Sequence, residues 1–284
     1  MYFARSVKRE IISLLLRITA VVLTIVLLFL LLTSSLSSFS YISDGSCNIA
    51  VVPIEGVILP FSGLTEFGDL VITPGEIKTY LEAVQDDPYI KAVLFEINSP
   101  GGTPVASETI SELIKEFSLP TVAVIGDIGA SGGYMVASAA DRIVASRMSD
   151  IGGIGVTMSY VEESQKNEEE GRTFVSLATG AFKDAGNPDK PLTDEERAIF
   201  ETQLAAVHEA FIDIVAQNRN LATERVAELA NGSTLTGLAA KEAGLIDEIG
   251  GRTKAKEMLS ELLGEDMDTD DITFCEYNPY LGLW

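Results

Sequence analysis

Two stretches of this chain, KAVLFEIN at 91–98 and TVAVIGD at 121–127, are almost uninterrupted runs of apolar side chains. A strand with one wet face alternates apolar and polar residues. A continuous run implies burial on both faces, as in a parallel sheet covered by helices on either side. Four more runs read as strands, at 49–58, 141–147, 154–160 and 174–180. Helical signals lie between them. Thr73 before Pro74 opens a helix over 74–86, and Thr103 before Pro104 opens one over 104–117. Each has a capping residue followed by proline at the first helical position. The short, small-sided segment 131–140 predicts a buried helix. Strands alternating with helices predict an α/β domain with mainly parallel pairing.

Beyond residue 190 the pattern turns helical. Thr193 with Glu196 forms a capping box. Phe200, Leu204, Val207, Phe211 and Ile214 then follow at spacings of three and four, one apolar stripe. His208, the chain's only histidine, lies beside that stripe and reads as a packed or half-exposed helix residue. Further helices are expected at 223–230, 237–243 and 252–263, and an acidic loop at 264–271. No linker divides 46–284.

The N-terminus has a different character. Ile11–Leu32 is an apolar run of a length that crosses a hydrocarbon layer as a helix. Arg5, Lys8 and Arg9 precede it, which orients residues 1–10 to the cytoplasm and the rest outside. Arg17 sits near enough to the inner end to snorkel. A cleaved signal peptide is the alternative, but the run exceeds a usual h-region and no A-x-A-like site follows. The expected organisation is a cytoplasmic segment 1–10, a transmembrane anchor 11–33, a linker 34–45 and a domain 46–284. Membrane lipid is therefore a partner through 11–33. The net charge is −22 although four of the twenty basic residues precede position 18. So acidic a domain repels phosphate backbones and anionic headgroups, which excludes nucleic acid as a partner. Cys47 and Cys275 are permitted to pair outside the cytoplasm; free buried thiols remain an equal alternative. No C-x-x-C or histidine cluster suggests a metal, and no cofactor is expected.

Three glycine-rich elements carry the chemistry. INSPGG, 97–102, ends a buried strand, and its glycines leave backbone amides unobstructed. GASGGY, 129–134, places Ser131 among residues without bulk after another strand. A serine hydroxyl is a weak nucleophile until a base takes its proton. FKDAG, 182–186, offers Lys183 beside Phe182. A lysine acts as a base only when neutral, and desolvation disfavours its charged form. Each element alone has an ordinary explanation: a strand-to-helix turn, a helix cap, a surface charge. Together they are the parts of an acyl-transfer site.

INSPGG, then GASGGY, then a lysine in GAFKDAGNP resembles the signal peptide peptidase family of the SppA type. The resemblance continues through TDEERAIFETQL and GLIDEIGG, so it covers about 48–264. It implies a Clp protease/crotonase-like fold of repeated β-β-α units behind an N-terminal transmembrane helix. It also implies a membrane-bound serine peptidase with a Ser/Lys dyad that degrades leftover signal peptides. By position, Ser131 matches the nucleophile and Lys183 the general base. The amides of Gly102 and Gly132 match the oxyanion hole. Short members form rings in which a neighbour supplies the lysine, so a homo-oligomer is implied. One departure stands out. Gly153 replaces a serine whose hydroxyl helps orient the lysine, leaving Thr157, Ser149 or water as substitutes. Ser233 also stands where arginine is common. Rival readings are a peptidase that cuts membrane proteins, a CoA-dependent hydratase or isomerase of the same fold, and a degenerate membrane scaffold.

Overall fold

A computed structural model describes residues 15–28, 45–63, 70–264 and 267–276. The chain divides into two compact units, Met1–Ile42 and Ser43–Trp284. In the first, residues 15–28 form helix α1 with its side chains exposed. The remainder of the expected anchor 11–33 lies outside the described residues. Among the described residues no helix is long and apolar enough to cross a membrane.

The second unit is built on a parallel sheet. Its strands are β1 (Ile49–Ile58), β2 (Val71–Ile72), β3 (Ala92–Gly102), β4 (Thr121–Ala130), β5 (Arg142–Ala145), β6 (Asp150–Gly152), β7 (Thr234–Thr236), β8 (Glu248–Ile249) and β9 (Phe274–Glu276). The main order is β2-β1-β3-β4-β5-β8, with β9 on β1 and β6 on β4. Every pairing is parallel except β6 with β7. The helices are α2 (Pro74–Gln85), α3 (Pro104–Lys115), α4 (Gly132–Ser138), α5 (Ser164–Glu169), α6 (Asp194–Arg219), α7 (Thr223–Leu229), α8 (Gly237–Ala243) and α9 (Arg252–Leu263).

The continuous apolar runs have the expected cause. Along β3, Val93, Phe95 and Ile97 join one core with Ile77 of α2, Ile110 of α3 and Val136 of α4. Ala92 and Leu94 join a second core with Ala255, Met258 and Leu259 of α9. Each fully buried branched side chain contributes about 1.5–3 kcal/mol.

Single strands bend midway and lead into a helix, β3 into α3 and β4 into α4. The register shifts between Glu55 and Val57 on β1 and between Ile97 and Ser99 on β3. Bulges of this kind bend a strand and increase its local twist. Beyond the bend, β4 leaves β5 and pairs with β6 through Ile128–Ala130, while Gly129 still meets Ser99 of β3. The runs 154–160 and 174–180 are not strands; their backbone is irregular. Much of what made them look like buried strands is exposed, including Met158, Val175 and Leu177. Thr103 precedes α3 as expected but makes no side-chain cap bond, and its hydroxyl is buried without a partner. The capping boxes at Thr73 and Thr193 are both formed.

Cys47 and Cys275 form a disulfide across 228 residues of sequence. It lies where β9 runs beside the start of β1, so it joins the two ends of the second unit. Arg252 ties the same corner by pairing with Glu96 and Glu276 and stacking over Phe274.

Candidate active site

Ser131 occupies the corner between β4 and α4. Its φ is +52° and ψ −128°, a conformation that L-residues rarely adopt. Holding it costs on the order of 1–3 kcal/mol, which the surroundings must supply. The Ser131 amide donates to the Gly152 carbonyl at 2.7 Å. The Ser131 carbonyl accepts from the amides of Tyr134 and Met135 at 2.9 and 3.0 Å, starting α4. All seven residues of α4 are buried, which anchors the corner in the core.

The glycines around it are required by space. Gly101 has φ +100°, and a Cβ there would lie 2.6 Å from the Gly132 nitrogen and 2.9 Å from Ser131 Cβ. A Cβ on Gly102 would lie 1.9 Å from the Ile58 carbonyl oxygen, and one on Gly132 would lie 2.1 Å from Ser107 Oγ. That same point is 3.3 Å from the Gly102 nitrogen, so the two glycines face each other beside Ser131. Gly132 is the first residue of α4, and its N–H belongs to the set that has no intrahelical acceptor. Gly102, Ser131 and Gly132 line one small cavity of about 120 Å³, with Pro104, Met135, Val156, Val207 and Phe211 as apolar walls.

A second cavity of about 470 Å³ also opens at Ser131, walled by Gly153, Thr157, Leu204, His208 and Asn231. His208 was expected to be a packed or half-exposed helix residue, and it is half-buried. Its place in a wall shared with Ser131 has no local signal in the sequence. Its Nε2 is buried and has no hydrogen-bond partner, the Ser131 hydroxyl included. The apolar stripe of α6 therefore has two uses: Ile214 packs against the core and Leu204 and Val207 face the site, while Phe211 does both.

Lys183 lies elsewhere. It sits on an exposed turn over 181–186, with its amide donating to the Gly180 carbonyl at 3.2 Å, and lines neither cavity at Ser131. The turn is well tied. The Asp184 carboxyl is held below its ordinary range by hydrogen bonds from Ser176 and Asn187. Asn167 donates to Asp189 at 2.8 Å, and Lys190 pairs with Glu196.

Gly153 stands beside Ser131. Its φ is +57°, and its amide donates to the Ser233 carbonyl at 3.2 Å. Of the two hydroxyls named as substitutes for the serine absent at position 153, Ser149 is buried and bonded to the Gly126 carbonyl, whereas Thr157 lines both cavities. Among the described residues no cluster of histidine, cysteine and carboxylates has metal-binding geometry.

The family model described as Peptidase family S49 matches residues 114–265, a stretch that contains Ser131, Gly132 and Lys183. A protein named as a protease from Methanocaldococcus jannaschii is 33% identical over 64% of this chain and 59% of its own length. A protein named as a signal peptide peptidase SppA from Enterococcus faecium is 31% identical over 83% of this chain and 69% of its own. The matched stretch thus spans less than two thirds of the archaeal relative. Among solved structures, a ClpP1 mutant from Listeria monocytogenes is similar at 16% identity and a TM-score of 0.46, over 71% of this chain and 91% of that one.

Proposed function

The chain belongs to peptidase family S49, a family of serine peptidases, and we propose that it is a membrane-anchored endopeptidase that degrades cleaved signal peptides or similar apolar peptides. Ser131 is the nucleophile and Lys183 the general base. The observation that carries this reading is the strained Ser131 corner with Gly102 and Gly132 in the wall of the same cavity. A backbone held so far from its preferred conformation more often marks chemistry than packing.

In the reaction, Ser131 Oγ attacks the scissile carbonyl carbon while neutral Lys183 takes its proton. The carbonyl oxygen becomes an oxyanion held by the Gly102 and Gly132 amides. Collapse breaks the C–N bond, and the lysine proton passes to the leaving amine. Water, deprotonated by the same lysine, then releases the acyl group and restores Ser131. The apolar walls of both cavities suit an apolar peptide.

Lys183 is assigned to the site of a second copy of this chain. Two features support that. It is exposed and absent from the walls around its own Ser131. It also lies in a segment that exposes Val161, Val175, Leu177 and Phe182 to solvent, and exposed apolar side chains at such density mark protein contacts.

The anchor 11–33 is proposed to hold the protein with Met1 inside and the second unit outside the cytoplasm. The Cys47–Cys275 disulfide supports an oxidising location for that unit. Protease added to spheroplasts should digest it; protection would reverse the topology. The activity itself is tested with the full chain in detergent on apolar fluorogenic peptides, alongside Ser131→Ala. A serine-directed probe should label wild type and not Ser131→Ala. Absence of labelling would favour the scaffold reading.

A further inference from the structure

We infer that Ser99 is a positioning residue for the oxyanion amides, acting through a backbone bulge that its hydroxyl bridges. The inference rests on the assignment of Ser131 as nucleophile and deepens it.

β1 and β3 pair in register as far as Glu55 with Asn98, and pairing resumes at Val57 with Gly101. Ser99 and Pro100 therefore stand against Gly56 alone, two residues opposite one. Such a bulge interrupts the ladder and leaves backbone groups in need of other partners. Ser99 supplies them. Its Oγ donates to the Gly56 carbonyl at 2.6 Å and accepts from the Gly101 amide at 3.1 Å. The side chain is completely buried, so water does not compete for either bond. A hydroxyl is the small group that donates and accepts at one atom.

The bulge leads directly into the site. Gly101 rests against Ser131 Cβ and the Gly132 nitrogen, and Gly102 carries one of the two oxyanion amides. Ser99 also meets the start of α4 from below, since a Cβ on Gly133 would lie 2.5 Å from the Ser99 carbonyl oxygen. One buried residue thus touches β1, the Gly101 amide and the first turn of α4, the three pieces whose relative placement sets the distance between the two amides. Ser99 is fully buried and lines neither cavity at Ser131.

Oxyanion donors act on the tetrahedral state and little on the bound peptide, so loss of their placement should lower kcat and spare KM. Ser99→Ala removes both bonds; Ser99→Cys keeps the shape with a weaker donor and acceptor. The experiment uses the full chain in detergent with an apolar peptide substrate, the peptide aldehyde of the same sequence and the matching peptide acid. The aldehyde forms a tetrahedral adduct with Ser131 and needs the oxyanion amides; the acid does not. For Ser99→Ala, kcat should fall by about tenfold or more, less than the roughly hundredfold or more for outright loss of a donor. Aldehyde affinity should fall by a similar factor while acid affinity and KM hold. Ser99→Cys should fall between, and it decides the matter if Ser99→Ala does not fold. Unchanged kcat in a folded Ser99 variant overturns the inference. So does a loss of kcat with aldehyde affinity intact. If wild type shows no turnover that depends on Ser131, the assignment of the nucleophile fails instead, and the inference falls with it.

Discussion

Gly153 packs directly against Ser131: a Cβ at position 153 would lie 3.3 Å from the Ser131 amide nitrogen and 3.4 Å from Ala130 Cβ. A Cβ fits there only if these neighbours give by a few tenths of an ångström, and φ of +57° makes any L-residue cost about 1–2 kcal/mol besides. Gly153→Ala and Gly153→Ser should therefore lower the melting temperature alike. Their activities should differ, because only the serine returns a hydroxyl to the side of Ser131. The serine variant should turn over at least severalfold faster than the alanine variant. Equal rates would mean that the hydroxyl has no role here.

The strain at Ser131 predicts a trade between stability and activity. Ser131→Gly should be inactive yet more stable than Ser131→Ala by about 1 kcal/mol, since glycine takes φ of +52° without steric cost. Urea denaturation of the two variants measures this. Equal midpoints would show that the corner is not strained.

His208 shares a cavity wall with Ser131, and its Nε2 has no partner. His208→Ala should retain most of kcat, with any change appearing in KM through the altered wall. An inactive His208→Ala beside an active Lys183→Ala would point to a histidine-based mechanism.

Lys190 and Glu196 brace the segment that follows Lys183. The Lys190 ammonium, then the Thr193 amide, hold the Glu196 carboxyl below its ordinary 4.5. A depressed carboxylate contributes stability that is complete above the unfolded value and lost as pH falls through the folded one. Glu196→Gln should therefore be less stable than wild type at pH 7, and the gap should close as pH drops below 4.5. Urea midpoints across that range check it. A constant gap would contradict the ion pair's role.

The sheet was readable because burial on two faces leaves a continuous apolar run, and strands β1, β3 and β4 and helices α2, α3 and α6 lie where those runs and caps put them. The irregular backbone at 154–160 and 174–180 departs from the expected strands for a shared reason. Apolar periodicity registers burial without saying against what, and Leu177 is 96% exposed. The close approach of Ser131, Gly102 and Gly132 is legible because glycine clusters at strand ends mark backbone that must pass close to something. Ser99 was hidden in the same motif, since its role depends on a two-against-one pairing between strands separated by 43 residues. The disulfide was equally hidden, because a separation of 228 residues gives no local signal.

The central claim is that Ser131 is activated by Lys183 of a second copy. Ser131→Ala and Lys183→Ala should each abolish peptidase activity, because residues that act as a unit do not lose rate additively. Lys183→Arg should fail as well, since guanidinium stays protonated. The most direct measurement mixes the two inactive alanine variants under conditions that exchange subunits, and follows cleavage of an apolar peptide. The account predicts that activity returns, because a mixed assembly holds sites with an intact Ser131 from one chain and an intact Lys183 from the other. No return of activity from well-exchanged subunits, or full activity in a wild-type monomer, would contradict it.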